Sequence, residues 1–337
     1  MMNANATGST IKAMQDVIYT TLSSVAPDCR HYAILDFPDY SNVGDSAIFL
    51  GELALFDTIH SSRPSYVCSM RSYLDDIDAI VPDGPLYLQG GGNFGDLWTR
   101  HQDFREHILR KYQDRKIIQL PQSIHFSKPE ALDQCAFAID NHADFTLLVR
   151  DEESFALAQT KFNCQVLMCP DSAFALGALK ATREAKHPVL CMLRTDSESD
   201  LTSQQRDEIA AYGPMEDWVN DTPHMKSRLD RLVEKLVIKG PFSRTTLGPS
   251  LCRIYEKWAR ERMDRGIAQL STAQFVITDR LHVHILCTLL GIPHIVFDNN
   301  YGKISRHINV WPKNEQAYVV HNMNEFRSIA QEKLLSR

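Results

Sequence analysis

Six polar clusters interrupt the 337-residue chain, each directly after a short apolar run. The sharpest is Thr278-Asp279-Arg280-Leu281-His282. Leu281, Ile285 and Leu289 then recur at helical spacing until Gly291 and Pro293 stop the helix. Arg280 and His282 therefore fall in a first helical turn. Free backbone N–H groups and the positive end of the helix dipole attract anions there. A cation in that place is unfavourable alone, so a bound phosphate or carboxylate, or a pair with Asp279, is required. Val149-Arg150-Asp151-Glu152 puts a guanidinium at the end of a buried-type run. It either bridges to Asp151 or Glu152 or holds an anion that suits its fork. Gln119-Leu120-Pro121-Gln122-Ser123-Ile124-His125 offers an imidazole among amides and a hydroxyl.

The other three clusters carry fewer titratable groups. In Asp36 to Ile48, Gly44 allows a tight turn and Asp45 or Ser46 caps a following helix. The alternative is that Asn42 and Asp45 face a substrate. Leu88-Gln89-Gly90-Gly91-Gly92-Asn93-Phe94-Gly95 matches G-x-G-x-x-G after a strand. A dinucleotide site needs an acid at the end of the next strand for the ribose hydroxyls. That strand ends in Gln119-Leu120-Pro121-Gln122 instead, and the unit is not the first in the chain. Gly91, Gly92 and Asn93 are therefore read as a ligand-facing loop without a nicotinamide cofactor. Asp298 to Lys303 is either an Asn/Gly turn or a loop placing Tyr301 and Lys303 over the same cleft.

The elements that must position these loops are short apolar runs alternating with helical patterns. Strands are expected at 32–36, 65–68, 86–89, 116–120, 145–149 and 165–168. A second set is expected at 189–193, 236–238, 275–278, 294–297 and 318–320. Continuous rather than alternating apolar residues mark parallel strands buried on both faces. The fold class predicted is α/β, with two Rossmann-like doubly wound domains. The pause at Leu176–Pro188 puts the division between 1–180 and 181–337. The first helix is expected to be capped by Ser9 or Thr10. The last, Asn324–Leu335, is expected to be capped by Asn322 or Asn324, and crossing back onto the first domain is open to it. In such sheets ligands sit at the carboxyl ends of the strands.

Composition narrows the partners. Hydrophobic residues make up 44% and charged residues 23%, with 36 Lys and Arg against 42 Asp and Glu. A net charge of −6 argues against nucleic acid as a partner. No run approaches a membrane span, and Met1 to Lys12 lacks the order of a signal peptide, so a cytoplasmic protein is expected. Eight cysteines without a Cys-x-x-Cys are read as buried thiols. Nothing has metal-ligand spacing, so no metal or other cofactor is expected. Residues 225–265 are locally basic. The plainer reading is a solvated helix face; the sharper is a contact with an anionic membrane or lipid diphosphate.

Taken together, the stretches DFPDYSNVGDSAI (36–48), LQGGGNFGDLW (88–98), QLPQSIHF (119–126), RDEES (150–154), CPDSAF (169–174) and TDRLHVHILCTLLGIP (278–293) resemble the polysaccharide pyruvyltransferase family. The resemblance implies a glycosyltransferase-B-like arrangement with the active site between two domains. It implies transfer of pyruvate from phosphoenolpyruvate to two hydroxyls of a saccharide, free or lipid-linked, giving a cyclic ketal and phosphate. The family's Arg-Leu-His motif falls on Arg280, Leu281 and His282, with His282 catalytic. Its further donor-binding arginine falls on Arg150 and its other active-site histidine on His125. Asp45 is taken as the base on the acceptor, from loop position alone, with Asn42, Gly91, Gly92, Asn93 and Lys303 as binding residues. The alternatives are a glycosyltransferase using a nucleotide sugar, or a non-catalytic member of the fold.

Overall fold

The structure, a computed structural model, describes residues 2–195, 199–222, 225–239, 244–298 and 303–334. Its strands are β1 (Ala33–Leu35), β2 (Tyr66–Cys68), β3 (Leu86–Leu88), β4 (Gly91–Gly95), β5 (Ile117–His125), β6 (Phe145–Val149), β7 (Gln165–Met168), β8 (His187–Met192), β9 (Met215–Glu216), β10 (Ala273–Thr278), β11 (His294–Phe297) and β12 (Ala317–Val320). Its helices are α1 (Met2–Val25), α2 (Val43–Ile59), α3 (Thr99–Lys111), α4 (Pro129–Asp140), α5 (Glu152–Lys161), α6 (Ser203–Ala210), α7 (Arg228–Lys239), α8 (Arg244–Leu270), α9 (Leu281–Leu290), α10 (Lys303–Val310) and α11 (Met323–Leu334).

The strands form two parallel sheets. The first runs β2-β1-β3-β5-β6-β7 with β4 also paired to β5, and the second runs β12-β11-β10-β8-β9. β1, β2, β3 and β6 are buried at every residue, as continuous apolar runs under helices on both faces require.

Several elements depart from expectation. Residues 236–238 are not a strand; they lie in α7, where Leu229, Val233 and Leu236 recur at helical spacing. The glycine-rich segment is not only a loop, because Gly91, Phe94 and Gly95 pair with Gln122, Ile124 and His125 of β5. Met215–Glu216 adds a short edge strand. α1 starts at Met2 rather than at Ser9 or Thr10. Asn322 caps α11, accepting from the backbone N–H groups of Asn324 and Glu325. That helix stays on the second sheet, with Phe326 against Phe297.

Other helices do cross between the sheets. α8 lies between β9 and β10 in sequence, yet it packs on α2 and β2. Its Tyr255 stacks on Phe37 and its hydroxyl is hydrogen-bonded with Ser72 Oγ at 2.6 Å, and Arg262 Nη1 donates to the Pro38 carbonyl. From the other end, Thr10 of α1 donates to the Lys313 carbonyl. One apolar core accordingly runs through both sheets, from Ile34 and Leu88 to Val276 and Leu286. A smaller one fills the far face of the second sheet, around Phe275, Phe297 and Phe326. All eight cysteines are free thiols. No helix among the described residues is long and apolar enough to cross a membrane.

Candidate active site

Each sheet reverses its strand order once. From β1 the chain steps out to β2 and returns to β3 on the other side; from β8 it steps to β9 and returns to β10. Such reversals open a crevice at the carboxyl ends of the strands. The four loops concerned meet at one cavity of about 370 Å³. The loop after β1 and the first turn of α2 bring Tyr40, Asn42 and Asp45, and β4, which follows β3, brings Gly92 and Asn93. The loop after β8 brings Arg194, and that after β10 brings Arg280, Leu281 and His282. Trp98, His101, Arg150 and Trp218 complete the lining.

His282 stands in the first turn of α9 with its ring against α2. A Cβ on Gly44 would lie 2.4 Å from His282 Cγ, so only glycine lets the two helix starts meet. His282 Nε2 is 3.4 Å from Asp171 Oδ2. Asp171 also takes a hydrogen bond from Arg150 Nη1 and, at 2.9 Å, from the Ala173 N–H. Burial alone would push this carboxyl up, but Arg150 and His282 outweigh it and hold it well below the usual carboxylate range. An ionised carboxylate behind the imidazole helps to orient the ring.

A second imidazole–carboxylate pair faces the same cavity. His101 Nδ1 lies 2.7 Å from Asp36 Oδ2. Asp36 adopts a left-handed backbone with φ 71°, a costly conformation for a residue with a Cβ. Burial raises its carboxyl and the bond from His101 draws it partly back.

Three guanidinium groups line the cavity among the described residues. Arg150 is 2% exposed and spends Nε on Ser123 Oγ and Nη1 on Asp171, which leaves its Nη2 edge for the cavity. The Trp311 indole N–H holds its carbonyl at 2.9 Å. The partner of Arg150 is therefore Asp171, not Asp151 or Glu152; Asp151 instead caps α5 through the Ser154 N–H. Arg280 is the N-cap residue of α9 and donates to Asp217 Oδ2 at 2.6 Å. Asp279 is bound by the Arg194 N–H and by Ser199, so it is not the hydrogen-bonding partner of Arg280. Asn93 Oδ1 accepts from Arg105 and Gln122, both at 2.9 Å, which leaves its Nδ2 amide for the cavity.

Of the residues singled out from the sequence, Asn42, Asp45, Gly92, Asn93, Arg150, Arg280, Leu281 and His282 share this cavity. Gly91 lies behind it: its φ is +131°, and a Cβ there would sit 3.7 Å from Asp45 Oδ1. His125 ends β5 and lines a separate, much smaller cleft with Gly92, Asn93 and Trp98. Lys303 opens α10, but its side chain and Tyr301 lie outside the described residues. Sequence reasoning missed Arg194, His101, Asp171, Trp98 and Trp218. Arg194 was findable, since it follows an apolar strand just as Arg150 does. Asp171 lies in a stretch already singled out, 169–174. His101 sits in a polar helix and gives no signal.

Two parallel α/β sheets meet at one cavity, and charged and titratable side chains from both line it. The comparisons place the chain more closely. The chain belongs to the polysaccharide pyruvyl transferase family, whose profile matches residues 42–301. It is 32% identical over 321 residues to "Pyruvyl transferase 1" of Schizosaccharomyces pombe, covering 92% of this chain and 76% of that one. It is 31% identical over 294 residues to "Putative pyruvyl transferase EpsO" of Bacillus subtilis, covering 86% and 88%. Among solved structures, an uncharacterised Klebsiella pneumoniae protein shares the fold, with a TM-score of 0.59 at 20% identity, covering 92% of this chain and 99% of that one.

Proposed function

We propose that the enzyme takes phosphoenolpyruvate as donor and builds a cyclic pyruvate ketal on two hydroxyls of a saccharide, releasing phosphate. The observation that carries this is the union of Arg150, Arg194 and Arg280 with the Asp171-backed His282 in one cavity. Phosphoenolpyruvate carries a carboxylate and a phosphoryl group of about −1.5 to −2 charge at neutral pH. Guanidinium forks and the start of α9 suit both anions, and no metal is needed in the scheme.

His282 gives a proton to the methylene carbon, which becomes a methyl group and leaves C2 electrophilic. The first acceptor hydroxyl adds to C2 and loses its proton to Asp45. The C2–O bond to phosphate breaks, the second hydroxyl adds, and its proton is lost to solvent or to His101. Phosphate leaves with both electrons of the broken bond. Tyr40, Trp98 and Trp218 supply ring faces of the kind that pack on sugar C–H groups. The two sheets act as the halves of a glycosyltransferase-B-like arrangement, and the acceptor is a polysaccharide precursor, free or carried on a lipid.

The test is thermal unfolding with phosphoenolpyruvate, UDP or pyruvate, followed by a phosphate-release assay with candidate acceptors. A ligand that binds only the native state at a hundredfold excess over Kd stabilises by about 2.7 kcal/mol. A shift with phosphoenolpyruvate alone, absent in Arg150→Ala, supports the donor. A shift with UDP alone overturns it in favour of a nucleotide-sugar donor.

A further inference from the structure

We infer that α7 is a docking surface for an anionic lipid bilayer. The helix reads Arg228-Leu229-Asp230-Arg231-Leu232-Val233-Glu234-Lys235-Leu236-Val237-Ile238-Lys239. Leu229, Leu232 and Leu236 follow one another at three- and four-residue spacing, so they share a stripe. They are 68%, 52% and 45% exposed, which puts three leucines on one open face of one helix. Single exposed apolar residues are ordinary, but a contiguous exposed row marks an interaction surface.

The charges on the helix are sorted. Arg228, Arg231, Lys235 and Lys239 are all exposed and lie in an adjoining stripe, by the same spacing. Both acids turn inward. Asp230 is buried and receives Lys257, the Trp258 indole N–H and the Ser227 N–H. Glu234 accepts from the Tyr255 hydroxyl at 2.8 Å. Val237, fully buried, marks the face that packs on α8. The open side of α7 is therefore leucine beside cation, with no acid among the described residues of that face, on a chain whose net charge is −6.

Charge decides the occupant. A two-fold copy of the chain seated on the leucine stripe would set the basic row against itself. An anionic bilayer takes the leucines into its headgroup boundary while the cations meet phosphates, the usual posture of an interfacial amphipathic helix. The position also serves the proposed reaction. Trp218, in the cavity wall, is ten residues before Arg228, and the intervening chain is pinned by Asp221 to Arg262 and by Lys226 to Asp39. Docking through α7 thus holds the cavity near a membrane that carries the acceptor. This deepens the proposed function by naming the acceptor's carrier, but its test reads binding rather than turnover, so the two fail separately.

The experiment is flotation of the full chain with phosphatidylcholine vesicles, with and without phosphatidylglycerol. Wild type is compared with Leu229→Ser/Leu232→Ser/Leu236→Ser and with Arg228→Glu/Lys235→Glu. Sedimentation velocity without lipid accompanies it. Binding should require phosphatidylglycerol, fall with added salt, and be lost in the leucine variant while melting temperature and turnover of a water-soluble acceptor stay unchanged. Each cation removed should weaken partition about fivefold, the equivalent of about 1 kcal/mol. Equal binding to neutral vesicles, no binding at all, or a concentration-dependent dimer that the leucine variant abolishes would overturn the assignment.

Discussion

The first turn of α2 presses on the imidazole of His282: a Cβ at Gly44 would stand 2.4 Å from Cγ and 2.6 Å from Nδ1 of that ring. Gly44 therefore sets the position of the proposed proton donor. Gly44→Ala should displace the ring, at an overpacking cost of about 1–3 kcal/mol. Misplacement on the scale of 1 Å costs about 100-fold in rate. Loss of turnover with phosphoenolpyruvate binding retained is the expected result. Unchanged kcat would show that the ring position does not matter.

Asp171 links His282 to Arg150, and its depressed carboxyl has a pH signature. A folded-state value below the unfolded one contributes stability that is fully present above the ordinary aspartate value of about 3.9 and lost as pH falls towards the folded value. Asp171→Asn should cost about 3–5 kcal/mol at neutral pH, because it strands the buried Arg150 charge. Below about pH 4 the wild type should lose stability more steeply than the variant. Parallel acid limbs in urea titrations would contradict this.

Glu52 behaves in the opposite sense. It is fully buried in α2, and its Oε1 accepts the Gly90 N–H at 2.9 Å. Burial pushes its carboxyl well above the ordinary glutamate range, aided by the nearby carboxylates of Asp171 and Asp45. The folded form thus binds this proton more tightly than the unfolded chain, so its contribution declines as pH rises from about 4.3 towards the raised value. Glu52→Gln keeps the acceptor for Gly90 and removes the ionisation. Its stability relative to wild type should rise with pH over that interval, and a constant offset would refute the assignment.

His101 and His125 make contrasting predictions. His101 is backed by Asp36 and faces the cavity, whereas His125 lines the small cleft beside it. His101→Asn should lower turnover by about 100-fold or more, in the range of general acid–base contributions. His125→Asn should change kcat by only a few-fold. The reverse order in steady-state assays would move the second histidine to the site proposed from sequence order.

Arg280→Ala should act on the donor. Losing a hydrogen bond to a charged group costs about 1.5–3 kcal/mol, a 10- to 150-fold rise in the phosphoenolpyruvate Kd. Calorimetric titration reads this directly, and an unchanged Kd would remove Arg280 from the anion site.

What the sequence made legible was local. Arg280 and His282 were findable because Leu281, Ile285 and Leu289 define a helix that starts between them, with Arg280 as its N-cap and His282 in its first turn. Most strands were findable because buried parallel strands read as continuous apolar runs. What stayed hidden depended on pairing across distance. Asp171 gains its role only when the fold brings it beside His282, 111 residues further along the chain. His101 is one polar position in a polar helix until Asp36 takes its left-handed turn. The strand expected at 236–238 failed because three apolar residues fit either period, and only the wider spacing from Leu229 decides for a helix.

The long α8 has a thermodynamic consequence. It leaves the second sheet's stretch of sequence, seats Tyr255, Trp258 and Arg262 against the first, and returns at Leu270 to begin β10. Severing the chain between β7 and β8 would strip the first sheet of part of its cover and leave α8 with an unburied apolar face. Neither half should then fold by itself, and calorimetry should record one endotherm rather than two, with calorimetric and van't Hoff enthalpies in agreement.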